Sequence, residues 1–216
     1  MLSFNSISFQ FGNTPIFQDL SLEFELGKVY GIIGANGIGK TTLFRSIAGL
    51  YNLSNGKIVL NDKSILPTNV SFLPTGPFFY PYMKGLEYLN IIHSDDEQLV
   101  ECINLAKVLN IPIDHLVDTY STGMKKKLAF IASYSQNKEV SIYDEPFNGV
   151  DLESNEILLQ LLQKNKSQNI SFISSHILSM LYELCDEIIH IEQGFEVSIY
   201  APNQYEVLKN KIRKSS

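Results

Sequence analysis

The 216 residues suffice for one sizeable α/β domain or two small ones, and the composition, 44% hydrophobic and 19% charged, is that of an ordinary folded chain. A net charge of −6 excludes an overall basic field of the kind that draws nucleic acid or an anionic membrane surface. The two cysteines, Cys102 and Cys185, have neither metal-ligand nor disulfide-framework spacing, and neither a signal pattern nor a bilayer-length apolar run is read in the chain. The expectation is a cytosolic protein whose membrane role would come through a partner.

Residues 2–28, LSFNSISFQFGNTPIFQDLSLEFELGK, alternate apolar and polar positions and break at Gly12-Asn13 and Pro15, which predicts short antiparallel strands with a turn. VYGIIG, Val29 to Gly34, is a continuous apolar run, as in a strand buried on both faces. Leu43, Ile47 and Leu50 then fall at helical spacing, with Gly49 near the helix end. GKIVLND reads as a strand and turn, and NVSFLP as a strand ending at Pro74. From about Pro77 to Ser133 the apolar period is helical, in GLEYLNII, LVECINLAKVL and KLAFIASY. Strands return in VSIYDEP, ISFISSH and EIIHIEQG, separated by the helical patterns ESNEILLQLLQKN and ILSMLYELC. Alternating strand and helix predicts a mostly parallel sheet covered by helices. The basic cluster Lys209, Lys211, Arg213 and Lys214 reads as a solvated, fraying tail.

Within this order, Gly34-x-x-x-x-Gly39-Lys40-Thr41 has the pattern of a phosphate loop between a buried strand and a helix. Gly34, Gly37 and Gly39 let backbone amides turn inward around phosphates, with Asn36 in the same loop, and the helix N-terminus adds partial positive charge. Lys40 would reach the β- and γ-phosphates, the Thr41 hydroxyl would ligand Mg2+, and Thr42 would bond the α-phosphate. Asp144 and Glu145 end the VSIYDEP strand, where ligands bind in an open parallel sheet. Asp144 would hold Mg2+ and Glu145 would serve as general base for an attacking water. The loop alone establishes nucleotide binding and leaves open kinase, switch, motor and pump.

YSTGMKKKL, Tyr120 to Leu128, begins a helix, with Ser121 as N-cap and Lys125 to Lys127 as a solvated face. Taken with the preceding motifs, it resembles the signature sequence of ABC-type ATPases, usually Leu-Ser-Gly-Gly-Gln. Ser121 and Gly123 match, while Tyr120, Thr122 and Met124 depart. The form Tyr-Ser-x-Gly-Met is similar to a variant of bacterial exporter-type ATPase subunits. The resemblance covers nearly the whole chain. FNGVDLES looks like the family's D-loop, with Asp151 at the matching position; SSH matches its switch histidine at His176; and Phe11 matches the aromatic residue that stacks on adenine.

The resemblance implies an α/β fold. Its parts are a P-loop NTPase core with a mostly parallel sheet, an N-terminal antiparallel β subdomain and a helical signature subdomain. The expected bounds within one domain, 1–216, are 1–75 and 134–200 for the core with its β subdomain, 76–133 for the helical subdomain and 201–216 for the C-terminal tail. It implies ATP and Mg2+ as cofactors. It also implies head-to-tail pairing of two ATPase subunits, as a homodimer or a paralogous heterodimer. Each ATP would lie between one subunit's P-loop and the other's Ser121 and Gly123. His176 would sense the γ-phosphate. Integral membrane transporter subunits follow as partners, with no nucleic acid, and the place is cytoplasmic, peripheral on the inner face of the membrane.

One position departs from the family. The glutamine that follows the strand into the helical part, a Mg2+ ligand beside the groove for the membrane subunit, is replaced by Thr75, and no glutamine occurs from Tyr51 through Glu97. The expectation is weaker Mg2+ coupling or slower turnover. GPFFYPYM, just beyond, reads equally as hinge packing or a docking surface. The leading function is the ATP-hydrolysing subunit of an exporter-type transporter. The alternatives are a soluble non-transport ABC ATPase, a small-metabolite kinase and a weakly hydrolysing regulatory subunit.

Overall fold

The computed structural model describes residues 1–93, 95–193 and 196–215. Gly194, which closes the predicted EIIHIEQG segment, Ser216 of the predicted tail and the Lys214 side chain of its basic cluster lie outside the described set. In chain order the elements are β1 (Leu2–Phe11), β2 (Thr14–Phe24), β3 (Val29–Gly34), α1 (Lys40–Ile47), β4 (Asn55–Leu60), β5 (Lys63–Ser64), β6 (Val70–Leu73), α2 (Gly85–Ile92), α3 (Asp96–Val108), α4 (Thr122–Tyr134), β7 (Val140–Asp144), α5 (Leu152–Asn165), β8 (Ile170–Ser174), α6 (Leu178–Leu184), β9 (Glu187–Ile191), β10 (Val197–Tyr200) and α7 (Tyr205–Ser215).

The strands form two sheets. One has four strands in the order β2-β1-β4-β5, all pairs antiparallel. The other has six in the order β10-β9-β3-β8-β7-β6. Its β9, β3, β8, β7 and β6 run parallel, and β10 closes one edge antiparallel to β9. Alternation along each parallel strand sorts side chains to two cores, because successive residues face opposite sides of a sheet. Tyr30, Ile32, Ile142, Phe172 and Ile189 join Leu43, Phe44 and Ile47 of α1 and the apolar residues of β1 and β4. Val29, Ile33, Tyr143, Ile173 and Ile188 pack instead with the helices, including Leu128, Ile131 and Leu158. The helix that follows the phosphate loop is therefore clamped between the two sheets.

Ser141 is the polar residue of β7 that hydrophobicity would not place there. It is buried and satisfied: Ser71 of β6 and Asn169, just before β8, both donate to its hydroxyl, at 3.2 and 3.1 Å. Tyr143 packs against Phe130 of α4 with ring centroids 5.4 Å apart. α2, α3 and α4 form the expected helical part, built around Leu89, Cys102, Ala106 and Leu128.

Two expectations need correction. The residues expected as a fraying tail form α7, whose Tyr205 and Leu208 are buried. Tyr205 donates its hydroxyl to Cys185 O at 2.9 Å and stacks on Tyr182, and Lys211 pairs with Glu192. The expected solvated face of α4 is solvated at neither Lys126 nor Lys127, each 8% exposed. Their ammoniums find backbone carbonyls inside the fold, Lys126 that of Glu145 at 3.0 Å and Lys127 that of Leu109 at 3.0 Å.

Candidate functional site: a phosphate loop facing an acidic strand end

The site lies where the parallel strands end. β3 delivers its buried chain to Gly34, the loop turns, and α1 begins at Lys40. Gly39 precedes α1 with φ 113°, and a Cβ there would lie 2.6 Å from Ile16 Cγ2, so a side chain here would strain the backbone and displace Ile16. α1 has no side-chain cap and no acidic residue in its first turn. Its N-terminal amides are therefore free for an anion. Lys40 Nζ folds back to donate to Gly34 O at 2.7 Å and Ala35 O at 3.1 Å. Burial pushes its pKa down, against the opposing pull of Glu145 and Asp144.

Across from the loop, Asp144 ends β7 beside Ser174 of β8. It is 2% exposed, and three hydroxyls converge on it. Thr41 and Thr75 donate to Oδ2 at 2.7 and 2.8 Å, and Ser174 donates to Oδ1 at 2.6 Å. Glu145 follows with φ 56°, a left-handed conformation that a residue with a Cβ adopts only when its surroundings impose it. Its N–H donates to Ser174 O at 3.2 Å and to Ser174 Oγ at 3.0 Å. His176 N–H donates to Oε2 at 3.3 Å. Oε1 is buried and takes no hydrogen bond; His176 Nε2 stands 3.2 Å from it. A buried, under-satisfied carboxylate oxygen at a cavity wall is suited to take a proton from water.

These residues surround a cavity of about 250 Å3, lined by Asn36, Gly37, Gly39, Lys40, Thr41, Thr42, Thr75, Asp144, Glu145 and His176. A larger one of about 590 Å3 shares Asn36, Lys40 and His176 and continues past Gly34 to His190 and Glu192. Burial lowers the His190 pKa, with Glu192 opposing it. The donor set fits the implied Mg2+: one carboxylate and two hydroxyls offer hard oxygens and leave places for water and phosphate. Thr75, the departure from the family's glutamine, has its hydroxyl on the same carboxylate oxygen as Thr41.

Five residues of the expected set do not line the phosphate cavity: Gly34, which lines the larger adjoining one, and Phe11, Ser121, Gly123 and Asp151. Phe11 is 50% exposed, with its ring edge-on to Phe9 and Tyr51 at 4.9 and 5.8 Å. Tyr51, given no role by its sequence pattern, ties this aromatic group to α1 by accepting from Arg45 at 2.7 Å. Ser121 caps α4, its hydroxyl accepting from Met124 N–H at 3.2 Å. Gly123 abuts the D-loop, and a Cβ on it would lie 2.8 Å from Gly149 O. Asp151 caps α5 by accepting from Ser154 N–H and Ser154 Oγ, both at 2.9 Å. Those two hydrogen bonds, with Lys127 3.4 Å away, hold its pKa at about 2.

The ABC transporter family profile matches residues 17–148, a stretch that includes the phosphate loop, Thr75, the signature and the acidic pair. The chain belongs to the ABC transporter family. Among curated relatives, the ABC transporter ATP-binding protein YthP of Bacillus subtilis is 30% identical over 187 residues, covering 83% of this chain and 77% of that protein. The bacitracin transport ATP-binding protein BcrA of Enterococcus faecalis is 31% identical over 201 residues, covering 86% of this chain and 64% of that protein. A solved structure of an ATP binding subunit of an ABC transporter superposes with a TM-score of 0.87 at 21% identity, covering 97% of this chain and 93% of that one, a likeness of fold. This ABC subunit binds and hydrolyses ATP, as the family's ATP-binding subunits do, and such subunits work with membrane transporter components. No helix among the described residues is long and apolar enough to cross a membrane.

Proposed function

We propose that this subunit powers an exporter-type transporter by ATP-driven pairing with a second ATPase subunit, itself or a paralogue. The observation that carries the reading is a divided site. The phosphate-binding and acidic residues share one cavity, whereas Ser121 and Gly123, at the N-terminus of α4, lie outside it. A second subunit, turned head to tail, would supply its own α4 N-terminus to the open side, and symmetry would complete two sites at once.

In this account Lys40 leaves the Gly34 and Ala35 carbonyls for the β- and γ-phosphates, Thr42 bonds the α-phosphate and Phe11 stacks on adenine. Mg2+ would be held by Thr41 and Asp144, with Thr75 beside them, and would neutralise phosphate charge. Glu145 takes the proton of the attacking water, and His176, already against its carboxylate, contacts the γ-phosphate. Ser121 and Gly123 donate to the same phosphate across the interface, so ATP joins the subunits and hydrolysis releases them. Asp151 stiffens the D-loop at that interface.

The exporter direction is supported by the Tyr-Ser-x-Gly-Met signature and by similarity to a bacitracin transport ATP-binding protein. Phe78 and Tyr82 of GPFFYPYM are 71% and 82% exposed beside the helical part. They favour docking to a membrane subunit over hinge packing, although Phe79 between them packs on Tyr88. The place of action is the cytoplasmic face of the membrane. Tagged protein recovered from gently solubilised membranes is expected to bring a partner with several membrane spans, identified by mass spectrometry. Ribosomes or soluble proteins alone would overturn the transport reading.

A further inference from the structure

Lys126 is a cation that neither phosphate binding nor the signature explains. It sits on α4 a turn beyond the Ser121 cap and is buried beside the acidic strand end. Among the described residues its ammonium makes one hydrogen bond, to Glu145 O at 3.0 Å. Burying an ammonium on so few partners is costly. Its neighbour Lys127 is used elsewhere, on Leu109 O, Ser154 Oγ and Asp151. The carbonyl that Lys126 holds belongs to the left-handed residue of the site. Ser174 fixes the Glu145 N–H with its carbonyl and hydroxyl, and Lys126 fixes the Glu145 carbonyl, which Asn148 N–H also approaches at 3.4 Å. A left-handed residue with a side chain persists only where its surroundings over-determine it, and both backbone groups of Glu145 are so held. Return to an extended backbone would swing the carboxylate away from the phosphate cavity.

We propose that Lys126 is a positioning residue that ties the signature helix to the backbone of Glu145 and keeps its carboxylate aimed at the site of water attack. The proposal rests on the reading of Glu145 as the base. It also means that a shift of α4, whose N-terminus faces the partner's nucleotide, reaches this subunit's own base directly.

The test uses the full chain with Lys126→Met, which keeps length and removes the donor, and Lys126→Arg, which restores one. Misplacing a reacting group by an ångström can cost about a hundredfold, so Lys126→Met is expected to lower kcat at least ~10-fold. KM and the affinity for ATP should stay within about twofold, since uniform binding is untouched. Lys126→Arg is expected to recover most of kcat. In the Glu145→Gln background, Lys126→Met should leave ATP-dependent dimerisation unchanged, which a general loosening of the signature helix would not. A kcat near wild type, an Arg variant as slow as Met, or loss of the ATP-bound dimer overturns the proposal. Wild-type turnover by Glu145→Gln alone would instead overturn the base assignment, so the two failures are distinguishable.

Discussion

At Thr75 the departure from the family motif comes down to single atoms beside Asp144. The family's glutamine would bring a long amide to the metal; here a short hydroxyl stands 2.8 Å from Asp144 Oδ2 because β6 ends beside β7. Thr75→Val is isosteric, removes that donor and leaves Asp144 with Thr41 and Ser174. Partners that orient a metal-binding carboxylate are worth roughly 10–100-fold in metal affinity, so the Mg2+ concentration for half-maximal ATPase is expected to rise about tenfold or more. An unchanged Mg2+ titration would remove Thr75 from the metal site. Glu145→Gln tests the base itself. General base catalysis contributes roughly 10²–10⁴-fold, and turnover should fall by that factor while ATP still binds. Full activity would place the base elsewhere. The phosphate loop and the acidic pair were readable because their chemistry is local: glycines, a lysine and carboxylates at fixed offsets after apolar strands. Lys126 and Lys127 were not, since a run of lysines reads as surface unless the carbonyls that receive it are known. Those carbonyls, of Glu145 and Leu109, come from segments distant in sequence.

Helix ends carry much of what the elements contribute. α4 and α5 each start at an oxygen that caps the backbone, Ser121 and Asp151, so the residues expected at the subunit interface also hold their own helices. The Asp151 pKa lies below its usual value of 3.8, at about 2, through the Ser154 hydrogen bonds and then Lys127. A carboxylate depressed in the folded state stabilises it above the unfolded pKa and loses that contribution as pH falls through the folded value. Asp151→Asn keeps a capping oxygen and removes the charge. The gap in urea midpoint between wild type and this variant should therefore be full above about pH 4 and close towards pH 2. A gap constant with pH would exclude the charge as its origin. α7 makes the complementary point. Tyr205, Leu208 and Ile212 follow a helical period, but the basic residues interleaved with them suggested a tail. With Leu208 fully buried, Leu208→Ala is expected to destabilise by about 2–5 kcal/mol in chemical denaturation. A loss below about 1 kcal/mol would mean that α7 adds little to the core.

The whole molecule is two sheets that grip one helix and present its N-terminus. β1, β2 and β4 share one apolar core with α1 and the parallel strands, and the phosphate loop leads into that helix. The alternating strand and helix pattern made this architecture readable, because a parallel sheet buried on both faces demands it. The antiparallel β10 was not read: it is short, and its pairing to β9 is a tertiary fact. At this scale Ser121 and Gly123 lie outside the phosphate cavity, and the proposed function makes a second subunit the means of closing the site. Light scattering of the Glu145→Gln protein, with and without Mg2+-ATP and with Ser121→Arg added to the same background, tests this directly. The account predicts that ATP doubles the mass of Glu145→Gln, and that Ser121→Arg binds ATP yet stays a monomer. A monomer in both, or an ATP-dependent dimer indifferent to Ser121→Arg, would contradict it.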